Sequence, residues 1–224
     1  VLDHSGASLL FVCKLDRWAQ QRAGVPESLP CIALPLAPTT SPPNDFERWD
    51  DIVARTPPIE GRPARGAEEI AMLLYTSGST GRPKGVMTSF GAITRAAEGI
   101  AADVRARVGQ QTASRMLSYL PLAHSFERSW AEAATLVDGR THLFFAESLD
   151  TFLQDLQRAR PTQFLSVPRL WLKFQQGVFA KVPPAKLDRL LGIPLLGRLV
   201  ARKVLRGLGL DQVISAGSGS APIP

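Results

Sequence analysis

The stretch Tyr75-Thr76-Ser77-Gly78-Ser79-Thr80-Gly81-Arg82-Pro83-Lys84-Gly85 constrains this chain more than any other. It follows an apolar, strand-like run, Ile70 to Leu74. It precedes Val86 and Met87 and then a segment with helical periodicity. A glycine-rich loop between a strand end and a helix start belongs to open α/β sheets, which keep their ligand sites there. Without side chains, the loop glycines let a ligand approach main-chain N–H groups. Thr76, Ser77, Ser79 and Thr80 add hydroxyls, and Lys84 adds a mobile cation with three donors. Pro83 fixes the backbone before it. Such a set of donors suits a polyanion, phosphate above all. The pattern is not a Walker A loop, because Lys84 stands between Pro83 and Gly85 rather than before Ser or Thr. The glycine spacing also departs from the dinucleotide fingerprint.

This stretch resembles the phosphate-binding signature of the adenylate-forming superfamily, which includes acyl-CoA synthetases, luciferases and peptide-synthetase adenylation domains. Further segments are similar to long-chain acyl-CoA synthetases of bacterial type. His4-Ser5 with Leu10-Phe11-Val12 and Lys14-Leu15-Asp16 is a weaker match of this kind. Leu120-Pro121-Leu122-Ala123-His124 resembles the segment that helps wall the acyl pocket. Ser166-Val167-Pro168-Arg169-Leu170-Trp171 resembles a segment of the long-chain members. Val213-Ile214-Ser215-Ala216-Gly217-Ser218-Gly219-Ser220-Ala221-Pro222 resembles the small-residue turn that lies against the adenine ring.

The intervening pattern alternates strand and helix. Leu9–Val12, Cys31–Leu34, Ile70–Leu74, Arg115–Leu120, Thr141–Phe145 and Gln163–Val167 read as strands. Trp18–Arg22 reads as a helical turn, and Phe46–Ala54 as a short helix capped by Asp45. Phe90–Val108 carries Ile93, Ala96, Ala97, Ile100 and Val104 at helical spacing. A helix starting behind the loop would aim its positive end at a bound anion. A helix from about Phe126 to Val137, stopped by Asp138-Gly139, follows, then helices at Asp150–Arg158 and Pro168–Phe179. This order predicts an α/β fold of mostly parallel sheets with flanking helices. Under the resemblance it is part of the N-terminal domain of an adenylate-forming enzyme, with residues 1–224 a partial AMP-binding domain.

The resemblance implies that a fatty carboxylate attacks the α-phosphate of ATP to give acyl-AMP and pyrophosphate. The thiol of coenzyme A then takes the acyl group. Thr76, Ser77, Gly78, Ser79, Thr80, Gly81 and Lys84 would hold the β- and γ-phosphates, with Thr80 toward Mg²⁺. Lys84 would steady the leaving pyrophosphate. Gly217, Ser218, Gly219, Ser220, Ala221 and Pro222 would contact the nucleotide. His124, near the reacting carboxylate, is expected as pocket wall or orienter rather than general base, beside Ser125. The alternative for His124 is a packed, satisfied side chain, and Trp171 is either tunnel wall or core. The glutamate that binds Mg²⁺, the ribose-binding aspartate and the C-terminal lid domain with its catalytic lysine are expected after Pro224. This chain alone is therefore expected not to turn over. Three readings stay open: a CoA ligase fragment, an adenylating enzyme that hands its acyl group to a carrier protein or stops at the adenylate, and a non-catalytic nucleotide-binding piece.

Composition adds limits. At 45% hydrophobic and 21% charged, the 224 residues suit a packed globular domain. Cys13 and Cys31 fit no metal spacing and are expected as buried free thiols in a reducing, cytoplasmic setting. The net charge of +6 is concentrated between Lys181 and Leu210, where seven basic residues face Asp188 alone. There Leu195, Leu196, Leu199, Val200, Val204 and Leu208 share one helix face, and Arg198, Arg202 and Arg206 another. Such a helix packs on its apolar side, or lies on an anionic membrane surface at residues 195–208. No nucleic-acid partner is expected. A cut sheet exposes edges that favour homo-oligomers.

Overall fold

A computed structural model describes residues 1–39, 46–76, 83–109, 113–219 and 221–222. In chain order the elements are α1 (Leu2–Ser5), β1 (Leu10–Val12), α2 (Trp18–Gln21), β2 (Cys31–Ala33), β3 (Glu47–Arg48) and α3 (Trp49–Arg55). There follow β4 (Ile70–Thr76), β5 (Lys84–Ser89), α4 (Phe90–Val108), β6 (Ser114–Ser118) and α5 (Ser125–Glu127). A π-helical turn (Arg128–Ala133) leads into α6 (Ala134–Asp138). Then come β7 (Thr141–Phe145), α7 (Phe152–Ala159), β8 (Gln163–Ser166), α8 (Pro168–Lys181), α9 (Pro184–Leu191), α10 (Leu196–Leu208) and β9 (Ser215–Ser218). Two compact units result: residues 1–66 with 72–87, and residues 67–71 with 88–224.

In the first unit β1, β2 and β3 pair in that order, all parallel, with Leu10 opposite Cys31 and Ile32 opposite Glu47. Val12, Trp18 and Val25 form its core. The short helix begins at Trp49 after a strand, not at Phe46, and Asp45, expected as its cap, lies outside the described residues. Cys13 is exposed and Cys31 half-buried, which corrects the expectation of two buried thiols. Cys13 directly follows the buried Val12, so pleat alternation turns it outward.

In the second unit β6 pairs with β7, and β8 with β9, both parallel. The Thr162 N–H donates to the Arg115 carbonyl at 3.0 Å, and the Arg115 N–H donates to Thr162 Oγ1 at 2.9 Å, which sets β8 beside β6. The strand period then sorts the helices. Met116 and Gln163 turn toward α4 and α6. Their neighbours Leu117 and Phe164 turn the other way, into a core with Leu156 and Ala159 of α7 and with Leu210. Tyr119, Phe152, Trp171, Phe174 and Leu208 pack around that core. Burial on the scale of Phe164, 1% exposed, contributes about 1.5–3 kcal/mol per such side chain. The parallel α/β expectation holds.

Three expected elements differ. Lys84–Ser89 is a strand, hydrogen-bonded beside β4, so the signature loop joins two strands and the helix starts only at Phe90. Ser89 caps that helix, its Oγ accepting from the Ala92 N–H at 3.2 Å. The helix expected through Val137 is divided by the π turn. In α10 the sides of Gly197, Val200, Ala201, Val204 and Leu208 face inward, while Leu196 and Leu199 are exposed and Leu195 precedes the helix. No helix among the described residues is long and apolar enough to cross a membrane.

Candidate active site

In the first unit, Thr76 ends β4 and Lys84 begins β5; both are exposed. Ser77, Gly78, Ser79, Thr80 and Gly81 lie outside the described residues. The base of the loop is built around Tyr75. Its hydroxyl hydrogen-bonds His4 Nδ1 at 2.7 Å, and the two rings meet edge to face at 5.7 Å. On the facing strand a side chain at Gly85 would come within 3.3 Å of the Tyr75 ring, so glycine lets that ring lie across the strand. The His4 segment and the loop, two separate sequence matches, thus meet in one unit.

In the second unit the chain leaves β6 through the π turn and α6, which pack on α4. It leaves β8 through α8 and arrives by way of α10, which packs on α7 across the opposite face. In open α/β sheets, the carboxyl ends of neighbouring strands whose connections leave to opposite faces are where ligands bind. Three sequence matches gather at those ends. Pro121 to His124 form a turn closed by the His124 N–H donating to the Pro121 carbonyl at 2.9 Å. The Gly219 N–H donates to the Ser166 carbonyl at 3.2 Å, which fastens the small-residue turn to the end of β8. The Phe126 ring lies 3.5 Å from where a side chain at Gly219 would begin.

His124 and Ser125 are exposed, so the packed, satisfied alternative for His124 does not hold. Trp171 meets Phe164 edge to face at 5.3 Å and Phe174 at 6.2 Å, which makes it part of the core. Its indole nitrogen is buried without a described partner. Gly217 and Ser218 end β9, a side chain at Gly217 would press on the tip of Leu165, and Ala221 and Pro222 are exposed. Ser220 lies outside the described residues.

Glu127 carries no role in the sequence reading, yet it is 1% exposed. Its Oε1 accepts from Ser118 Oγ–H at 2.6 Å and from the Tyr119 N–H at 3.1 Å. Burial pushes its pKa up, against hydrogen bonds from Ser118 and from the Tyr119 and Leu120 amides. Burial also raises the Tyr119 phenol, opposed by a hydrogen bond with Ser166 and reinforced by the Glu127 charge. The available signal for Glu127 was an acidic residue in the first helical turn after a strand, just past the Leu120–Ala123 apolar run. Among the described residues no group of three or more His, Cys, Asp or Glu is placed to hold a metal.

Comparison with known proteins matches the family described as AMP-binding enzyme over residues 1–224. The chain is 32% identical over 187 residues to the peroxisomal acyl-CoA ligase 891 of Penicillium brevicompactum, covering 73% of this chain and 26% of that protein. Long-chain-fatty-acid–CoA ligase ACSBG2 of Homo sapiens is 29% identical over 265 residues, covering all of this chain and 38% of its own length. The chain therefore spans between about a quarter and two fifths of these relatives. The adenylation domain of a carboxylic acid reductase from Segniliparus rugosus, solved with AMP and a co-purified carboxylic acid, superposes with a TM-score of 0.70 at 23% identity. That alignment covers 99% of this chain and 38% of that one, and it bears on the fold alone.

Proposed function

The chain belongs to the AMP-binding enzyme family, and on that premise we propose that it is part of a fatty acid–CoA ligase. The observation that carries this reading is that the His124 turn, Ser166 and Gly219 come together at the carboxyl ends of the neighbouring strands β6 and β8. The relatives named long-chain-fatty-acid–CoA ligases support the substrate class.

In the proposed reaction a carboxylate oxygen of the fatty acid attacks the α-phosphorus of ATP. Pyrophosphate leaves with the electron pair of the broken P–O bond, giving acyl-AMP. The sulfur of coenzyme A then bonds to the acyl carbon and AMP departs. The residues Gly217 to Pro222 offer a surface without bulky side chains, on which a flat base can lie close to backbone. His124, exposed beyond β6, orients the fatty carboxylate, with Ser125 beside it. Thr76 and Lys84, with Ser77, Gly78, Ser79, Thr80 and Gly81, hold the β- and γ-phosphates. Lys84 fits that task because it stands exposed at the first position of β5. A cation placed there stabilises charge that grows on the leaving group. Mg²⁺ supplies further charge neutralisation when bound with the nucleotide. Thr80 is its proposed protein contact, in keeping with a cation that takes few protein ligands alongside phosphate oxygens and water.

Residues 195–208 are the proposed point of contact with an anionic membrane surface on the cytoplasmic side. Leu196, Leu199 and Leu205 are 40%, 62% and 41% exposed, and Arg198, Arg202 and Arg206 stand exposed beside them.

The test is pyrophosphate release from ATP and Mg²⁺ with a panel of fatty acids, followed by thioester formation with coenzyme A. It is run on this chain and on the complete polypeptide that carries it, each with Lys84→Ala. We expect release from the complete polypeptide and a fall of about a hundredfold with Lys84→Ala, the scale of losing one stabilising group at a developing charge. Full activity in Lys84→Ala would overturn the assignment. Acyl-AMP formation without thioester would move the acceptor from coenzyme A to a carrier protein.

A further inference from the structure

The turn that presents His124 is tied down by Glu127 and Arg128, three and four residues beyond it. Beyond β6 the backbone must reverse from strand to helix within a few residues. Irregular backbone of this kind needs partners for its polar groups. The Glu127 carboxylate takes the Tyr119 N–H at 3.1 Å, together with Ser118 Oγ–H at 2.6 Å. The Arg128 side chain donates from Nε to the Leu122 carbonyl at 3.1 Å, and its backbone N–H donates to the His124 carbonyl at 3.1 Å. An ion pair with Glu132, one helical turn on, holds the guanidinium in place. The upstream limb of the turn is thus bound to Glu127 and the downstream limb to Arg128.

Stability alone does not call for a carboxylate here. Taking a charge out of water costs several kcal/mol, and a buried ionic group is often replaceable by an apolar one without loss. What an ionised acceptor adds is shorter, stronger hydrogen bonds, and so a narrower range of backbone positions. The same stretch also reaches the small-residue turn beyond β8. Phe126, between His124 and Glu127, packs toward Gly219 of that turn, and its ring lies 6.1 Å from that of Trp130 in the π turn. π turns occur often at functional sites.

We infer that Glu127 and Arg128 are positioning residues, which hold the Pro121–His124 turn in the one shape that sets His124 against the substrate carboxylate. The role rests on the proposed function for its catalytic consequence, but the backbone clamp does not. Neither residue touches substrate in this account. Both act through the turn, because small displacements of a positioned group cost about a hundredfold in rate.

The experiment compares Glu127→Gln and Arg128→Lys with the unsubstituted complete polypeptide. Glu127→Gln keeps the size but loses one of the two carboxylate oxygens to an NH₂ group, which faces donors rather than acceptors. Arg128→Lys keeps the charge but removes the Nε–H that meets Leu122. Asp138→Asn, which breaks the ion pair with Arg105 at the end of α6, reports what a structural lesion elsewhere in this unit does. Two readouts are taken: steady-state pyrophosphate release with fatty acid and ATP varied separately, and amide hydrogen exchange. The expected result is a fall in kcat of about tenfold to a hundredfold for both turn variants, with KM for ATP changed less than about twofold. Exchange should accelerate at residues 119–125 and not across the sheet, whereas Asp138→Asn should not show this split. Unchanged kcat and exchange in both turn variants would overturn the inference, as would a loss matched by acceleration across the whole unit. If the unsubstituted protein releases no pyrophosphate with any acid, the proposed function fails. The positioning role then fails with it, and exchange at 119–125 still decides whether the clamp exists.

Discussion

Two glycines near the end of α10 should respond oppositely to the same substitution. Gly209 follows the helix with φ 74°, a left-handed conformation. Its N–H donates to the Arg206 carbonyl at 3.0 Å, and the Leu210 N–H reaches back to the Leu205 carbonyl at 2.8 Å. That pair of bonds is the Schellman closure, which favours glycine at the left-handed position. A β-carbon at Gly209 would also lie 2.6 Å from the backbone of Leu156 and Gln157 in α7. Backbone atoms cannot turn aside as a side-chain tip can. Gly209→Ala therefore incurs about 1–2 kcal/mol for the left-handed residue. Forcing α10 away from α7 adds about 1–3 kcal/mol. Restriction of the unfolded chain offsets about 0.4–1 kcal/mol of this. The net loss is about 1–4.5 kcal/mol, or a Tm lower by roughly 2–18 °C for a chain of this size. Gly207, two residues earlier, is helical and would meet nothing within 4 Å. Its carbonyl still accepts from Gln157 Nε2 at 2.7 Å after substitution. Gly207→Ala should raise stability by about 0.5–1 kcal/mol. Urea unfolding followed by tryptophan fluorescence, with Trp171 in the affected core, measures both. A Gly209→Ala midpoint at or above the unsubstituted one would refute this reasoning, and so would equal effects at the two positions.

The ion pair between Arg160 and Asp211 gives a pH test. The hydrogen bond from Arg160, with Nε 3.2 Å from Oδ1, is the main cause that holds the Asp211 carboxyl below its ordinary value. A depressed carboxylate adds stability above the unfolded pKa of about 3.9 and loses it as pH falls through the lower folded value. Asp211→Asn should therefore be less stable at pH 7, and its urea midpoint should converge on the unsubstituted one as pH falls from the unfolded carboxylate value through the lower folded one. A constant gap across that range would show that the ion pair is not the source. For the membrane proposal, sedimentation with vesicles containing anionic lipid should capture the complete polypeptide at low salt. Leu199→Ser with Arg202→Ser should reduce capture severalfold, and equal capture by uncharged vesicles would refute the charge argument.

Much of the fold was readable from periodicity and punctuation. The apolar run of β8, the helical spacing of α4 and the proline opening α8 are local signals, and they fell where expected within a few residues. So were the motif residues themselves, because chemistry-bearing side chains at fixed spacing survive any change of environment. Nonlocal contacts decided the rest. Lys84–Ser89 became a strand because β4 lies beside it, a pairing that no property of Val86 or Met87 announces. Trp171 became core because Phe164 and Phe174 arrive from a strand and the next helical turn to meet it.

The sequence by itself determined which segments could carry chemistry: a glycine-rich loop with Lys84, a histidine after a strand and a small-residue turn, in a set order. Tertiary structure alone decided that the latter two come together beyond the neighbouring strands β6 and β8, and that a buried Glu127 holds the turn before His124. The physical reason is range. Propensity and spacing act over one or two turns of chain, whereas the ends of β6 and β8 become neighbours only once strands separated by α7 and β7 lie side by side.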